Sequence, residues 1–170
     1  CNNNSDDNTK DILKSFKVTK IINIKKYLPG NSLNKAINKC SGEFISILSS
    51  HCIPVDNKWL SDYIDFFKIH SNVVAAYGKQ VPLPGTTYQN LIDLDIIFKD
   101  QKVIYEKDPY FNNANSFYRS SILKKNKFDD KITNIEDSIW AKKISKKGYK
   151  VAYTGKSKVF HIHGIHQHET

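Results

Sequence analysis

The chain has no methionine in 170 residues, so it carries no initiator and reads as a processed protein or a piece of a longer one. Arg119 is the one arginine among 26 basic residues. A protein that reads nucleic-acid base edges draws on arginine for bidentate contacts, so the lysine excess argues against nucleic acid as a partner. The three cysteines include no CxxC pair. That odd count excludes a complete disulfide framework and a cysteine zinc finger, and points to a reducing, cytoplasmic setting. No apolar run approaches the roughly 20 residues that span a bilayer. The opening CNNNSDDNTK has neither the basic nor the apolar region of a signal peptide.

What is present describes a folded chain. Hydrophobic residues make up 39% and charged residues 25%, with a net charge of +9. Such a balance supports one domain over residues 1–170 with a sizeable core. The dispersed lysines suit phosphate groups or an anionic membrane surface.

Periodicity supplies the elements. Leu33, Ala36, Ile37 and Cys40 fall at i, i+3, i+4 and i+7 behind Ser32 as a cap, and predict a helix. Leu60, Tyr63, Ile64 and Phe67 repeat that spacing behind Asp56 or Asn57. Thr133 and Glu136 form the outline of a capping box for a third helix, with Gly148 placed to end it. Residues 86–99 have a mixed pattern compatible with a helix. Short β-branched and aromatic runs at 20–24, 44–48, 73–78, 149–153 and 158–163 read as strands. Residues 81–85 and 105–115 read as loops. Strands alternating with helices predict an α/β sheet with helices on both faces, in which ligands bind beyond the carboxyl ends of strands. Ser49, Ser50 and His51 sit at one such end. Residues 158–163 also place His161 and His163 on one face of a strand.

The motifs, taken in order, resemble the family 2 glycosyltransferases, inverting enzymes, and most of all their bacterial polysaccharide, rhamnosyltransferase-like branch. The resemblance is carried by CNNNSDDNT at 1–9, by Gly30 and Asn34 in a G-x-x-x-N element, and by GEFISILSSHCIP at 42–54. YGKQVP at 77–82, NANSFYR at 113–119 and FDDKITNIEDSIWAKKISKKGYKVAY at 128–153 complete it. It implies a GT-A-like nucleotide-diphospho-sugar transferase fold, three-layer α/β/α, lacking the first strand, so that the chain is a partial catalytic domain whose isolated form can be inactive. Ser49 and His51 then stand where the family carries the two aspartates of its metal motif. The implied reaction moves a sugar from a nucleotide-diphospho-sugar, with dTDP-rhamnose as one donor, to a hydroxyl of a glycan or lipid-linked acceptor with inversion. The implied place is the cytoplasmic face of a bacterial plasma membrane, in surface polysaccharide synthesis.

The resemblance assigns roles residue by residue. Asp137 is the base, Asn3, Asp7, Asn34, Ser49 and Ser50 face the donor nucleotide, and His51, His161 and His163 face a divalent metal, Mn²⁺ or Mg²⁺. Asn115, Arg119, Glu136 and Trp140 fall on the acceptor side or support the site. Read by chemistry alone, Glu136 and Asp137 are equally the acidic residues that favour a helix start, where backbone dipoles stabilise the ionised form. Two other functions fit parts of the pattern: a metal-dependent hydrolase or phosphotransferase built on the histidines, and a non-catalytic sugar-binding relative.

Overall fold

The computed structural model describes residues 1–161. Its elements, in order, are α1 (Thr9–Ser15), α2 (Pro29–Ile37), β1 (Phe44–Leu48), β2 (Cys52–Pro54), α3 (Trp59–Ile69) and β3 (Val73–Pro82). There follow α4 (Tyr88–Ile97), β4 (Lys102–Tyr105), β5 (Asn115–Arg119), α5 (Ser120–Lys125), α6 (Glu136–Lys146) and β6 (Lys150–His161).

The strands pair in the order β1-β5-β3-β6-β2, with β4 also on β6. Four of these pairings are antiparallel, and only β3 with β6 is parallel. This overturns the expected open three-layer α/β/α, GT-A-like sheet. The architecture is a mixed α/β fold whose sheet wraps into a nearly closed, barrel-like form. The expectation failed because the strands it counted did not include β2, β4 or β5. The antiparallel strands β2, β4 and β5 come between them and change both the order and the sense of the sheet.

The centre of the sheet explains the sequence pattern. All of Val73–Gly78 in β3 is buried, as a strand covered on both faces requires. One core cluster packs Tyr77, Phe98, Phe111, Tyr118, Trp140 and Tyr153 together. A second cluster seats α3 through Tyr63, Phe66 and Phe67 against Val73 and Phe117. The α3 stripe is thus shifted from the one predicted: Leu60 is 44% exposed, and Phe66 takes its place in the core. Residues 20–24 form no strand. They contribute one parallel bridge, Asn2 with Asn23. The runs at 149–153 and 158–163 belong to one strand through His161, interrupted by a register shift where β6 passes Gly78 of β3.

The caps are mixed. The helix α6 ends as Gly148 predicts: its φ is +84°, the Gly148 N–H donates to Ser145 O and the Tyr149 N–H to Ile144 O. Its start differs, since Ile135 occupies the cap position with no side-chain hydrogen bond and the Thr133–Glu136 box does not form. Ser32 lies inside α2, where its hydroxyl accepts from the Leu28 N–H.

Candidate active site at the β1 tip

The site is organised by residues 113–115, which lead into β5. Ala114 O accepts the Ser49 N–H at 3.0 Å, so the tip of β1 is tied to this segment. The next residue back, Asn113, donates its N–H to Asp137 Oδ2 at 2.8 Å. Ser49 and Asp137 are therefore bonded to adjacent residues of one short backbone stretch. Ala114 also packs against buried Cys52 and Val159. A single tripeptide thereby holds the β1 tip, the first turn of α6 and the end of β6 in one neighbourhood.

Asp137 is half-buried and its other oxygen accepts the Ser138 N–H at 2.6 Å. Burial pushes its carboxyl above the ordinary aspartate range, and the hydrogen bonds from Asn113 and Ser138 offset only part of that. The helix-start argument had favoured a depressed value, and desolvation outweighs it. Glu136 is buried, and its carboxyl is also raised, first by burial and then by the neighbouring Asp137 charge.

At the β1 tip the Cys52 N–H donates to Ser49 O at 3.0 Å, closing a tight turn over 49–52. Immediately afterwards β2 begins, and Cys52 faces His161 across the β2–β6 pair. Directly opposed residues project from the same side of a sheet. The turn brings His51 round to the same place, with its ring centroid 4.7 Å from that of His161. The ligand atoms of His51, Cys52 and His161 all lie within 4.8 Å of one another. His51 is half-buried, and Cys52 and His161 are buried. Burial pushes the Cys52 thiol up to about 12. This cluster is able to coordinate a metal. Two imidazoles and a thiol fit Mg²⁺ poorly, because that ion demands oxygen ligands, and no carboxylate joins the cluster among the described residues. His163 lies outside the described residues.

The remaining expected site residues divide clearly. Ser50 is exposed beside the cluster. Asn115 is buried and turns inward: its amide accepts from the Trp59 Nε1–H and the Tyr63 hydroxyl and donates to Ser157 O and Lys79 O. Arg119, at the far end of β5, donates to Val73 O and Phe67 O and lies over the Phe44 and Phe67 rings. Trp140 is core and donates its ring N–H to Asn126 O. Asn34 is buried; it donates to Phe128 O and Asp130 and accepts the Phe128 N–H. Gly30 explains its own place in that motif, since a Cβ there would collide with Asp129 O. Asn3 and Asp7 are exposed; Asp7 accepts the Thr9 N–H at 3.0 Å, and hydrogen bonding from the Thr9 side chain, then its backbone, holds the Asp7 carboxyl below the usual range. A groove of about 640 Å³ lies elsewhere, lined by Phe66, His70, Asp100, Lys102 and Lys156 among others.

Two members of the site were given no role from sequence. Asn113 and Cys52 take their roles from register and from a turn, and neither leaves a local pattern.

The sequence profile of Glycosyl transferase family 2 matches residues 1–127. The chain belongs to that family. A search of curated proteins returns no significant match. Among solved structures, residues 1–349 of Staphylococcus aureus TarS in complex with UDP-GlcNAc match at a TM-score of 0.69 and 18% identity, covering 98% of this chain and 49% of that one. A crystal structure of S. aureus TarS matches at 0.67 and 18%, covering 92% and 29%. A mannosyltransferase, PcManGT from Pyrobaculum calidifontis, in complex with GDP-Man and Mn²⁺, matches at 0.69 and 15%, covering 97% and 46%. At these identities the likeness concerns the fold. The chain spans about half the length or less of the structures it resembles.

Proposed function

We propose that this chain is part of the catalytic unit of an inverting sugar transferase that uses a nucleotide-diphospho-sugar donor and a hydroxyl acceptor on a glycan or lipid-linked chain. One observation carries the reading: in a member of this family, Asp137 is held by the Asn113 N–H next to the β1 tip, with its basicity raised by burial. The donor complexes of TarS and PcManGT support it by analogy of fold.

In this reaction the acceptor oxygen bonds to the anomeric carbon as the bond from that carbon to the donor phosphate breaks. The acceptor proton passes to the Asp137 carboxylate, and the nucleoside diphosphate leaves with the bonding electron pair. A carboxylate with a raised pKa is a better acceptor for that proton than an ordinary one. Ser49 and Ser50 offer hydroxyls to the leaving diphosphate at the β1 tip. The family resemblance implies Mn²⁺ or Mg²⁺ there, and the two imidazoles and the thiol at this tip match Mg²⁺ poorly.

The test is Asp137→Asn in the protein with its full natural length, assayed against a panel of nucleotide sugars that includes dTDP-rhamnose. Turnover should fall on the order of 10²- to 10⁴-fold with donor affinity little changed. Turnover within about threefold of the parent at saturating donor would remove Asp137 as the base.

A further inference from the structure

We propose that His51, Cys52 and His161 form a zinc site, in a family position where a carboxylate pair for a hard cation was expected. The family resemblance puts Ser49 and His51 where two aspartates would stand, and neither supplies a negative oxygen. The fold replaces them by other means. The 49–52 turn swings His51 over β6, and the β2–β6 register sets Cys52 directly opposite His161. Three donors from two strands and a turn then converge within 4.8 Å.

Four-coordinate zinc holds its ligands about 3.5 Å apart, given metal–ligand bonds of about 2.0 to 2.3 Å. The ligand atoms lie within 4.8 Å of one another, and strand pairing holds the backbone of Cys52 and His161, so the remaining approach falls to the side chains. On binding, the Cys52 S–H proton goes to solvent as the S–Zn bond forms, and the imidazoles bind through neutral nitrogens. Two nitrogens and a sulfur match zinc far better than Mg²⁺, which requires oxygen. The fourth position is left to an oxygen ligand from solvent or substrate, as in zinc sites with three protein ligands. The surrounding apolar contacts of Cys52, with Ala114, Val159 and Trp59, limit the approach of water to the sulfur.

The site is tested by metal binding, independently of any sugar transfer. The chelator-stripped chain is titrated with Zn²⁺ against a chromophoric competitor, and separately with Co²⁺ while the near-ultraviolet thiolate-to-cobalt band is recorded. One tight Zn²⁺ per chain is expected, not displaced by Mg²⁺ in excess on the order of a thousandfold. Cys52→Ser should remove the thiolate band, and both Cys52→Ser and His161→Ala should weaken Zn²⁺ binding by more than about tenfold, the least that losing a direct ligand should cost. A variant with His163, His166 and His168 changed to alanine should keep both signals. Zinc lost in that variant yet retained in Cys52→Ser would overturn the proposal, as would a Co²⁺ complex of the unaltered chain with no thiolate band. The unaltered chain decides the matter even where a variant fails to fold, and circular dichroism identifies such a variant.

Discussion

Asp137 sits between a burial penalty and two N–H donors, and burial prevails. Its native carboxyl therefore keeps its proton to a higher pH than the ordinary 3.8 of the unfolded chain. Between those two values the native state binds more protons than the unfolded state, so this group's contribution to stability falls as pH rises and is constant above the window. Catalysis has the opposite sign, because the base must be ionised. The acid limb of kcat/KM is thus expected above the ordinary aspartate range, and Glu136→Gln should leave that limb in place. In parallel, the stability of Asp137→Asn relative to the parent should improve as pH rises through the window, measured by denaturant unfolding at several pH values. A parent that gains on the variant over the same range would show that the hydrogen bonds, not burial, set this carboxyl. The position of Asp137 at a helix start was legible from the acidic pair and the apolar repeat behind it. Its partner was not, because Asn113 approaches from a loop whose path depends on β5.

β5 is one of three strands, with β2 and β4, that sequence reading missed, and its chemistry shows why. It begins Asn115-Ser116, residues with little strand preference, yet both are fully buried between β1 and β3. Asn115 is tolerated there because its amide is satisfied by Trp59, Tyr63, Ser157 and Lys79. Residues 44–48 and 73–78 were legible, because an apolar β-branched run suits a covered strand whatever its neighbours. Gly78 lies where β6 breaks register and crosses close by. A Cβ there would strike Ser157 O and the Asn115 amide, and would lie 2.6 Å from the Tyr63 hydroxyl. Gly78→Ala should therefore cost about 1 to 3 kcal/mol or more, the usual range for overpacking against atoms that cannot move. Gly85 has a φ of +89° but nothing within 4 Å of a built Cβ. Gly85→Ala should cost only the backbone strain of about 1 kcal/mol. Urea unfolding of the two variants compares them directly, and a larger loss at Gly85 would refute the close approach at Gly78.

For the whole molecule, the His51–Cys52–His161 cluster fastens the short β2 strand to the end of β6, two segments far apart in sequence. An ion bound only by the folded arrangement stabilises the fold by mass action. With free Zn²⁺ at about 100 times its dissociation constant, the gain is about 2.7 kcal/mol. For a domain of this size each kcal/mol moves Tm by about 2 to 4 °C, so Zn²⁺ should raise Tm by roughly 5 to 10 °C. Mg²⁺ at millimolar concentration should leave Tm unchanged, because the donors offer it no oxygen. Cys52→Ser should abolish most of the Zn²⁺ shift, read against the variant's own metal-free Tm, which falls because a hydroxyl is buried among Ala114, Val159 and Trp59. Hydrogen exchange locates the effect: added Zn²⁺ should slow the amides of Cys52, Ile53 and residues 159–161 before those of α3 or β1. Protection spread evenly over the chain, with equal Tm shifts for Zn²⁺ and Mg²⁺, would mean that the ions act on the lysine-rich surface and not at this junction.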